Sequence, residues 1–243
     1  MCKGELIMGK DRLFQQGTMQ MLSEGLLDGT ITLKELMVHG DTGIGTGEGI
    51  DGELIILNGK GFKINHKGEG IPLENSFKIT FADVHFENYE KIDNISSIEL
   101  SKCLEEIKKR IVGTNIFFSV KIHGKFEVIH TRSSKKSNKP YPGIEKIANN
   151  QVEFYSKDVT GTLLSYYSPS LYQGITVAGF HSHFISDDYK VGGHVIFSKV
   201  KNASVYLQKF ASFTQNTPIR NIDYLKADLS DISKLDNIIK NVE

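Results

Sequence analysis

Residues 179–197 read GFHSHFISDDYKVGGHVIF, two apolar-rich segments separated by turn residues. This pattern predicts two β-strands joined as an antiparallel hairpin. Side chains two positions apart on a strand point to the same face, so His181 and His183 point together while Ser182 points away. The return strand then brings His194 opposite the pair. The spacing therefore predicts three imidazoles that converge on one face of a hairpin.

Three converging imidazoles are typical of a catalytic zinc site, which keeps a fourth position open for water or substrate. The sequence thus predicts one metal ion held by His181, His183 and His194. The spacing leaves the chemistry open, because oxygenases, isomerases and hydrolases of the cupin type also carry two histidines one residue apart on a strand. The other histidines lack this spacing and are expected to be ordinary hydrogen-bonded residues: His39, His66, His85, His123 and His130.

The composition excludes several classes of function. Lys and Arg together number 29, as do Asp and Glu, so the chain lacks the basic surplus of a nucleic-acid binder. The lysine-rich segment 131–140 is interrupted by Ser, Asn and Pro and is interpreted as a solvated loop. Two cysteines provide no disulfide framework, and Cys103 is expected to be a buried apolar residue.

Membrane and export signals are also missing from the sequence pattern. No stretch approaches the roughly 18 apolar residues that a membrane span requires. Residues 1–27 carry charges throughout and lack the apolar segment of a signal peptide. We therefore expect a cytoplasmic protein with no nucleic-acid and no membrane partner.

Strand-like segments dominate the remainder and predict an α+β class, strand-rich, with mixed and antiparallel β-sheets and a few helices. Asn58-Gly59 predicts a tight hairpin turn, and His123-Gly124 is interpreted as a second one within residues 115–132. Periodic apolar residues predict helices at 18–27, 97–112, around 142–150, and at the end of the chain, 228–243. We expect a single domain, 1–243, made of two closely packed subdomains, at about 1–140 and about 141–243.

The glycine-rich stretch 40–53, GDTGIGTGEGIDGE, is interpreted as a loop that packs closely beneath the metal site. A nucleotide cradle is the alternative, but neither the Lys-Ser/Thr pair of a P-loop nor a helix follows. The sequence therefore predicts no organic cofactor.

Several blocks resemble the α-acetolactate decarboxylase family, in the same order along residues 20–210. The blocks are GFHSHFISDDYKVGGHV, HGDTGIGTGEGIDGELIILNG, HTRS and GTLLSYYSPSLYQGITVAGFH. The resemblance implies a zinc-dependent carboxy-lyase of acetoin and butanediol biosynthesis that converts 2-acetolactate to acetoin and carbon dioxide. It also favours a homodimer.

Carried over by position, the resemblance implies that His181, His183 and His194 are zinc ligands. Glu53 then corresponds to the active-site carboxylate, and Arg132 to the active-site guanidinium. Family tails also place an acidic residue over the site, for which the last residue, Glu243, is the candidate here. The chain departs from the family after GIGT, where residues 47–49 read Gly-Glu-Gly instead of supplying an aromatic side chain.

The implied reaction needs these residue types. Loss of carbon dioxide beside a ketone leaves an enediolate, so negative charge develops on oxygen and a Lewis acid stabilises it. Arg132 would bind the carboxylate or the enediolate with its planar fork, and Glu53 would deliver a proton to carbon. Two alternatives stay open: another three-histidine metalloenzyme of cupin type, an isomerase or dioxygenase, and a non-catalytic metal-binding relative.

Overall fold

The computed structural model describes residues 9–111 and 114–231, and it is dominated by β-strands, as the sequence predicts. The strands have the following bounds: β1 Arg12–Gln16, β2 Ile31–Thr32, β3 Thr42–Gly47, β4 Glu53–Leu57, β5 Lys60–Ile64, β6 Gly70–Pro72, β7 Lys78–His85, β8 Glu90–Glu99, β9 Phe118–Ser133, β10 Val152–Ser168, β11 Gly179–Ser186, β12 Gly192–Lys209 and β13 Ser212–Asn216.

The helices are few, as predicted, and most are shorter than the predicted ranges. They are α1 Met19–Ser23, α2 Leu33–Leu36, α3 Leu100–Arg110, α4 Ile144–Ala148 and α5 Ile222–Lys226, with a 3-10 turn at Ser170–Tyr172. The helix predicted over 97–112 begins only at Leu100, because residues up to Glu99 pair with β12 as strand β8. None of the described helices is long and apolar enough to cross a membrane.

Two sheets build the fold. The first has the strand order β13-β1-β7-β3-β4-β5-β6, with β2 paired to β7. Its strands are antiparallel except β1 and β13, which run parallel, so the sheet is mixed. The predicted hairpin at Asn58-Gly59 is confirmed: it joins β4 and β5, and both residues have positive φ, 50° and 72°.

The second sheet has the order β11-β10-β9-β12-β8, and its strands are antiparallel. Strand β11 pairs along its length with β10 and also, at its far end, with the start of β12. The sheet therefore curls around on itself at this corner. The corner is where the histidine hairpin of residues 179–197 lies.

Apolar side chains of the two sheets pack face to face. Ile44, Ile55 and Ile64 of the first sheet join Leu164 and Ile185 of the second in one buried cluster. The other face of the second sheet is covered by α3, whose buried residues recur at helical spacing: Leu100, Cys103, Leu104 and Ile107. Cys103 is 2 % exposed, which confirms it as a core residue.

The hairpin predicted at His123-Gly124 is wrong. Residues 118–133 form one continuous strand, β9, which pairs with β10 on one side and β12 on the other. Gly124 serves close packing instead of a turn: a Cβ there would lie 2.4 Å from the carbonyl oxygen of Asn202. A glycine that admits a neighbouring backbone and a glycine that permits a turn are indistinguishable in the sequence.

The glycine-rich stretch is also more regular than expected. Residues 42–47 form the buried strand β3 rather than a loop. Its glycines admit β7, since a Cβ on Gly45 would lie 2.2 Å from the Phe81 carbonyl oxygen. The glycines therefore do allow close packing, as expected from the sequence, but what they allow is the close pairing of strands β3 and β7.

Two predictions on the chain's organisation stay open. The subdomain boundary predicted at about residue 140 falls between β9 and β10, which pair within one sheet. The chain passes from the first sheet to the second between β7 and β8 and returns to the first between β12 and β13. Whether the chain divides into subdomains at residue 140 stays a prediction. Most of the closing helix predicted at 228–243 lies outside the described residues.

Candidate metal centre and adjoining cavity

The hairpin of β11 and β12 brings the three predicted histidines together. His183 and His194 are direct partners in the antiparallel register, and His181 lies two residues before His183 on the same face. The ring centroid of His181 lies 4.9 Å from that of His183 and 5.0 Å from that of His194. One nitrogen of each ring lies within 4.8 Å of the others, a spacing that a single metal ion can bridge.

The contacts of His183 fix which of its nitrogens is available. Nδ1 lies 2.8 Å from the backbone carbonyl oxygen of Leu54. A carbonyl only accepts, so Nδ1 carries the hydrogen, and in the neutral ring the lone pair lies on Nε2. The residue is 0 % exposed, and Nε2 has no hydrogen-bond partner among the described residues. A buried nitrogen lone pair oriented by a backbone carbonyl behind it is the usual environment of a metal-binding histidine.

Burial keeps the other two imidazoles neutral. It lowers the pKa of His181 well below its ordinary value, and the neighbouring His183 and Arg132 lower it further. Burial likewise lowers the pKa of His194, reinforced by His181, Arg132 and His183. Neutral rings are the form that binds a metal ion, so the electrostatics of the site fit the donor set.

Glu53 lies beside this group without joining it. The residue is 7 % exposed and begins β4. The carbonyl oxygen of the preceding residue, Gly52, accepts a 2.7 Å hydrogen bond from the Thr46 hydroxyl on β3. Oε2 of Glu53 lies 3.2 Å from Nε2 of His183, and no hydrogen bond joins the two atoms. The structure therefore holds a buried carboxylate at the edge of the three imidazoles.

Arg132 reaches the same place from β9, where it is the register partner of His194 on β12 and of Glu153 on β10. Its side chain lines a cavity of about 70 Å³ together with Glu53, His181 and His194. Four of the six residues proposed from the sequence thus share one cavity. His183 is fully buried and is not among the lining residues, and Glu243 lies outside the described residues.

Most of the remaining cavity wall is apolar and was not predicted from the sequence. Helices α1 and α4 supply much of it, and the apolar lining residues are Met19, Leu22, Ile50, Phe81, Ile144, Ile147 and Ala148. Thr46 and Gln151 add polar groups. The apolar positions of α1 and α4 resemble those of any packed helix, so the sequence carries no signal that they face a cavity.

Histidines outside the cluster mostly have ordinary partners, as expected. His130 pairs with Glu153 at 2.8 Å, and His123 with Thr162 at 3.0 Å. His85 shares a 2.9 Å hydrogen bond with the Tyr166 hydroxyl, and burial lowers the pKa of His85 to about 3.

Comparison with known proteins shows which protein family this chain is similar to. The sequence profile of the alpha-acetolactate decarboxylase family matches residues 13–231. The alpha-acetolactate decarboxylase of Lactococcus lactis subsp. cremoris is 35 % identical over 219 residues, 90 % of this chain and 92 % of the relative. The enzyme of the same name from Methanosarcina mazei is 31 % identical over 220 residues, covering 90 % of this chain and 76 % of the relative.

Solved structures agree with the sequence match. The crystal structure of alpha-acetolactate decarboxylase from Bacillus subtilis superposes with a TM-score of 0.91 at 27 % identity, covering 96 % of this chain and 99 % of the other. A Staphylococcus aureus protein described as similar to alpha-acetolactate decarboxylase also gives 0.91, at 34 % identity, covering 96 % of this chain and all of the other. The fold is shared over nearly the whole length.

Proposed function

The chain belongs to the alpha-acetolactate decarboxylase family, and from this membership we propose that it converts 2-acetolactate to acetoin and carbon dioxide. The carbon–carbon bond to the carboxylate breaks, and its electron pair becomes an enediolate. A proton added to the former carboxylate-bearing carbon then gives acetoin. The observation that carries the proposal is one cavity lined by His181, His194, Glu53 and Arg132, with a nitrogen of His183 within 4.8 Å of those of the other two histidines.

We propose zinc as the metal, held by the three histidines. The donor set supports this proposal, because three neutral nitrogens suit zinc and leave a coordination position open. When bound, the ion supplies Lewis acidity toward the hydroxyl and ketone oxygens of the substrate. The Leu54 carbonyl accepts from Nδ1 of His183, which leaves Nε2 as the nitrogen that would bind the ion.

Arg132 is proposed to bind the substrate carboxylate and then to stabilise the charge that develops on oxygen. Its planar guanidinium carries five N–H donors in a fixed fork, which match two oxygens at once. Its place on the cavity wall, one strand away from His194, supports this role.

Glu53 is proposed to deliver the proton to carbon. Its carboxyl group lies at the edge of the imidazole group and lines the cavity, so it is within reach of a substrate seated there. The apolar side chains of α1 and α4 would pack against the two methyl groups of the substrate and exclude water. Exclusion of bulk water protects the carbanionic carbon from uncontrolled protonation.

The proposal is tested by incubating purified protein with racemic 2-acetolactate and measuring acetoin. Formation of acetoin that stops when a chelator removes the metal would support it. An iron or manganese protein that forms no acetoin would point instead to another three-histidine enzyme.

We also propose that the protein is a homodimer. The exposed apolar side chains near α5 support this, since Ile219, Ile222 and Leu225 are each more than half exposed. Size-exclusion chromatography with light scattering would give the mass in solution, and a monomer would refute the proposal. The cytoplasmic location stays a prediction that cell fractionation would test.

A further inference from the structure

We propose that Gln151 is a substrate-binding residue that recognises the hydroxyl group of a 2-hydroxy acid. The inference rests on the proposed function, because it assigns part of the same cavity. It does not depend on the identity of the metal.

The sheet register explains how Gln151 reaches the cavity. Strand β10 starts at the next residue, with Val152 opposite Ser133 and Glu153 opposite Arg132. Continuing this register places Gln151 opposite Ser134, and its Nε2 indeed donates to the Ser134 hydroxyl at 3.1 Å. Alternate residues share a face, so Gln151 and Arg132 extend toward the cavity from neighbouring strands. Both line it.

The amide oxygen of Gln151 is the notable atom. It is buried, and it has no hydrogen-bond partner among the described residues. A buried acceptor without a partner is costly, and proteins rarely keep one without a role. The amide nitrogen is engaged by Ser134 and the residue lines the cavity, so we assign the unpartnered oxygen as the acceptor for a donor bound there.

The chemistry of the substrate identifies that donor. In 2-acetolactate the carboxylate and the ketone only accept hydrogen bonds, whereas the tertiary hydroxyl is the single group that donates. Among the described lining residues, Arg132 supplies donors, and the Thr46 hydroxyl already donates to Gly52. Carboxyl or amide oxygens come from Glu53 and Gln151. Because Glu53 is assigned to proton delivery, the amide oxygen of Gln151 is left to accept the hydrogen bond that the substrate hydroxyl donates.

The test compares two stable carboxylates that differ only at this group. They are 2-hydroxy-2-methylpropanoate and 2,2-dimethylpropanoate, in which a methyl replaces the hydroxyl. Binding of each to metal-loaded protein is measured by calorimetry, and the ratio of the two dissociation constants reports recognition of the hydroxyl. The substitutions are Gln151→Leu and, as a second variant of similar shape, Gln151→Met.

A neutral hydrogen bond is worth roughly 3- to 10-fold in binding, so both variants are expected to reduce the ratio by that factor. Asn150→Leu is the matched control and leaves the ratio unchanged, since this neighbouring amide is exposed and bonds only to the Lys146 carbonyl oxygen among its described contacts. If the Gln151 variants weaken both ligands equally, or weaken neither, the residue only shapes the wall and the inference is wrong. A wild-type protein that does not prefer the hydroxyl acid would also refute it.

The calorimetric result is independent of turnover. A wild-type protein that binds the hydroxyl acid through Gln151 but forms no acetoin would refute the proposed function and leave this assignment standing. Normal acetoin formation by the wild type, together with an unchanged ratio in the variants, would support the proposed function and refute the assignment of Gln151.

Discussion

Replacement of Glu53 by glutamine isolates the proton-delivery step. Glutamine has nearly the same shape as glutamate, so the buried position at the start of β4 and the 3.2 Å approach to His183 are retained. The amide nevertheless has no acidic proton to give. Glu53→Gln therefore removes the proposed proton donor while disturbing little else at the site.

The expected loss follows from the step that is removed. A positioned general acid contributes typically ~10²–10⁴-fold, so kcat for acetoin formation is expected to fall by that factor, roughly 3–5 kcal/mol of activation free energy. The carboxylate lies beside the three imidazoles and is not one of the group, so metal content is expected to stay at about one ion per chain. Protonation by water would then compete, and the chirality of the acetoin formed is expected to erode.

Three measurements on one preparation decide the outcome: kcat, metal per chain and product chirality. Glu48→Gln is the control and should keep full activity. Glu48 belongs to the same glycine-rich segment, but it pairs with Lys136 at 3.1 Å and lies outside the residues that line the cavity. Near-normal kcat in Glu53→Gln would remove Glu53 from the mechanism. Loss of metal would instead make it a ligand.

Three further substitutions test other parts of the account. Arg132→Lys keeps the charge but loses the planar fork, so kcat/KM is expected to fall at least ~10-fold; an unchanged value would remove Arg132 from substrate binding. Asp28 accepts hydrogen bonds from Lys139, Asn221 and Tyr141, which outweigh the effect of burial and lower its pKa below 3.8. Asp28→Asn is thus expected to lower the free energy of unfolding by about 1 kcal/mol at pH 7. The difference from the parent protein should shrink as the pH falls below about 4, where the carboxylate becomes protonated. Urea melts that give the same difference at every pH would contradict this expectation. Gly124→Ala forces a methyl against Asn202 and is expected to lower the free energy of unfolding by about 1–3 kcal/mol. Gly143→Ala is the control: its methyl meets nothing within 4 Å, so the free energy of unfolding should fall by less than about 1 kcal/mol. Equal losses in the two variants would refute the packing argument.

Local patterns predicted those parts of the fold that depend on neighbouring residues. The turn at Asn58-Gly59 needs positive φ at both positions, and this sequence permits it at low cost, so the hairpin formed as predicted. The convergence of His181, His183 and His194 likewise follows from the two-residue period of a strand and one tight return.

Features that depend on distant residues were not predictable from one sequence. Gly124 looks like a turn residue, and only the path of β12 beside it explains why it lies within a strand. Gln151 directly follows a short helix pattern, and its relevance arises from the register that brings it beside Arg132. The apolar cavity wall from α1 and α4 has the same residue pattern as ordinary core. In each case the deciding contact joins segments far apart in the chain.

In the proposed reaction, a metal held by three histidines beside Glu53 and Arg132 promotes the decarboxylation of 2-acetolactate. The decisive experiment measures metal content and acetoin formation on one sample, before and after a chelator and again after zinc is added back. The account predicts about one zinc ion per chain, acetoin formation that is lost with the metal, and recovery of both with zinc. Acetoin formation at an undiminished rate by metal-free protein, or none by zinc-loaded protein, would contradict it.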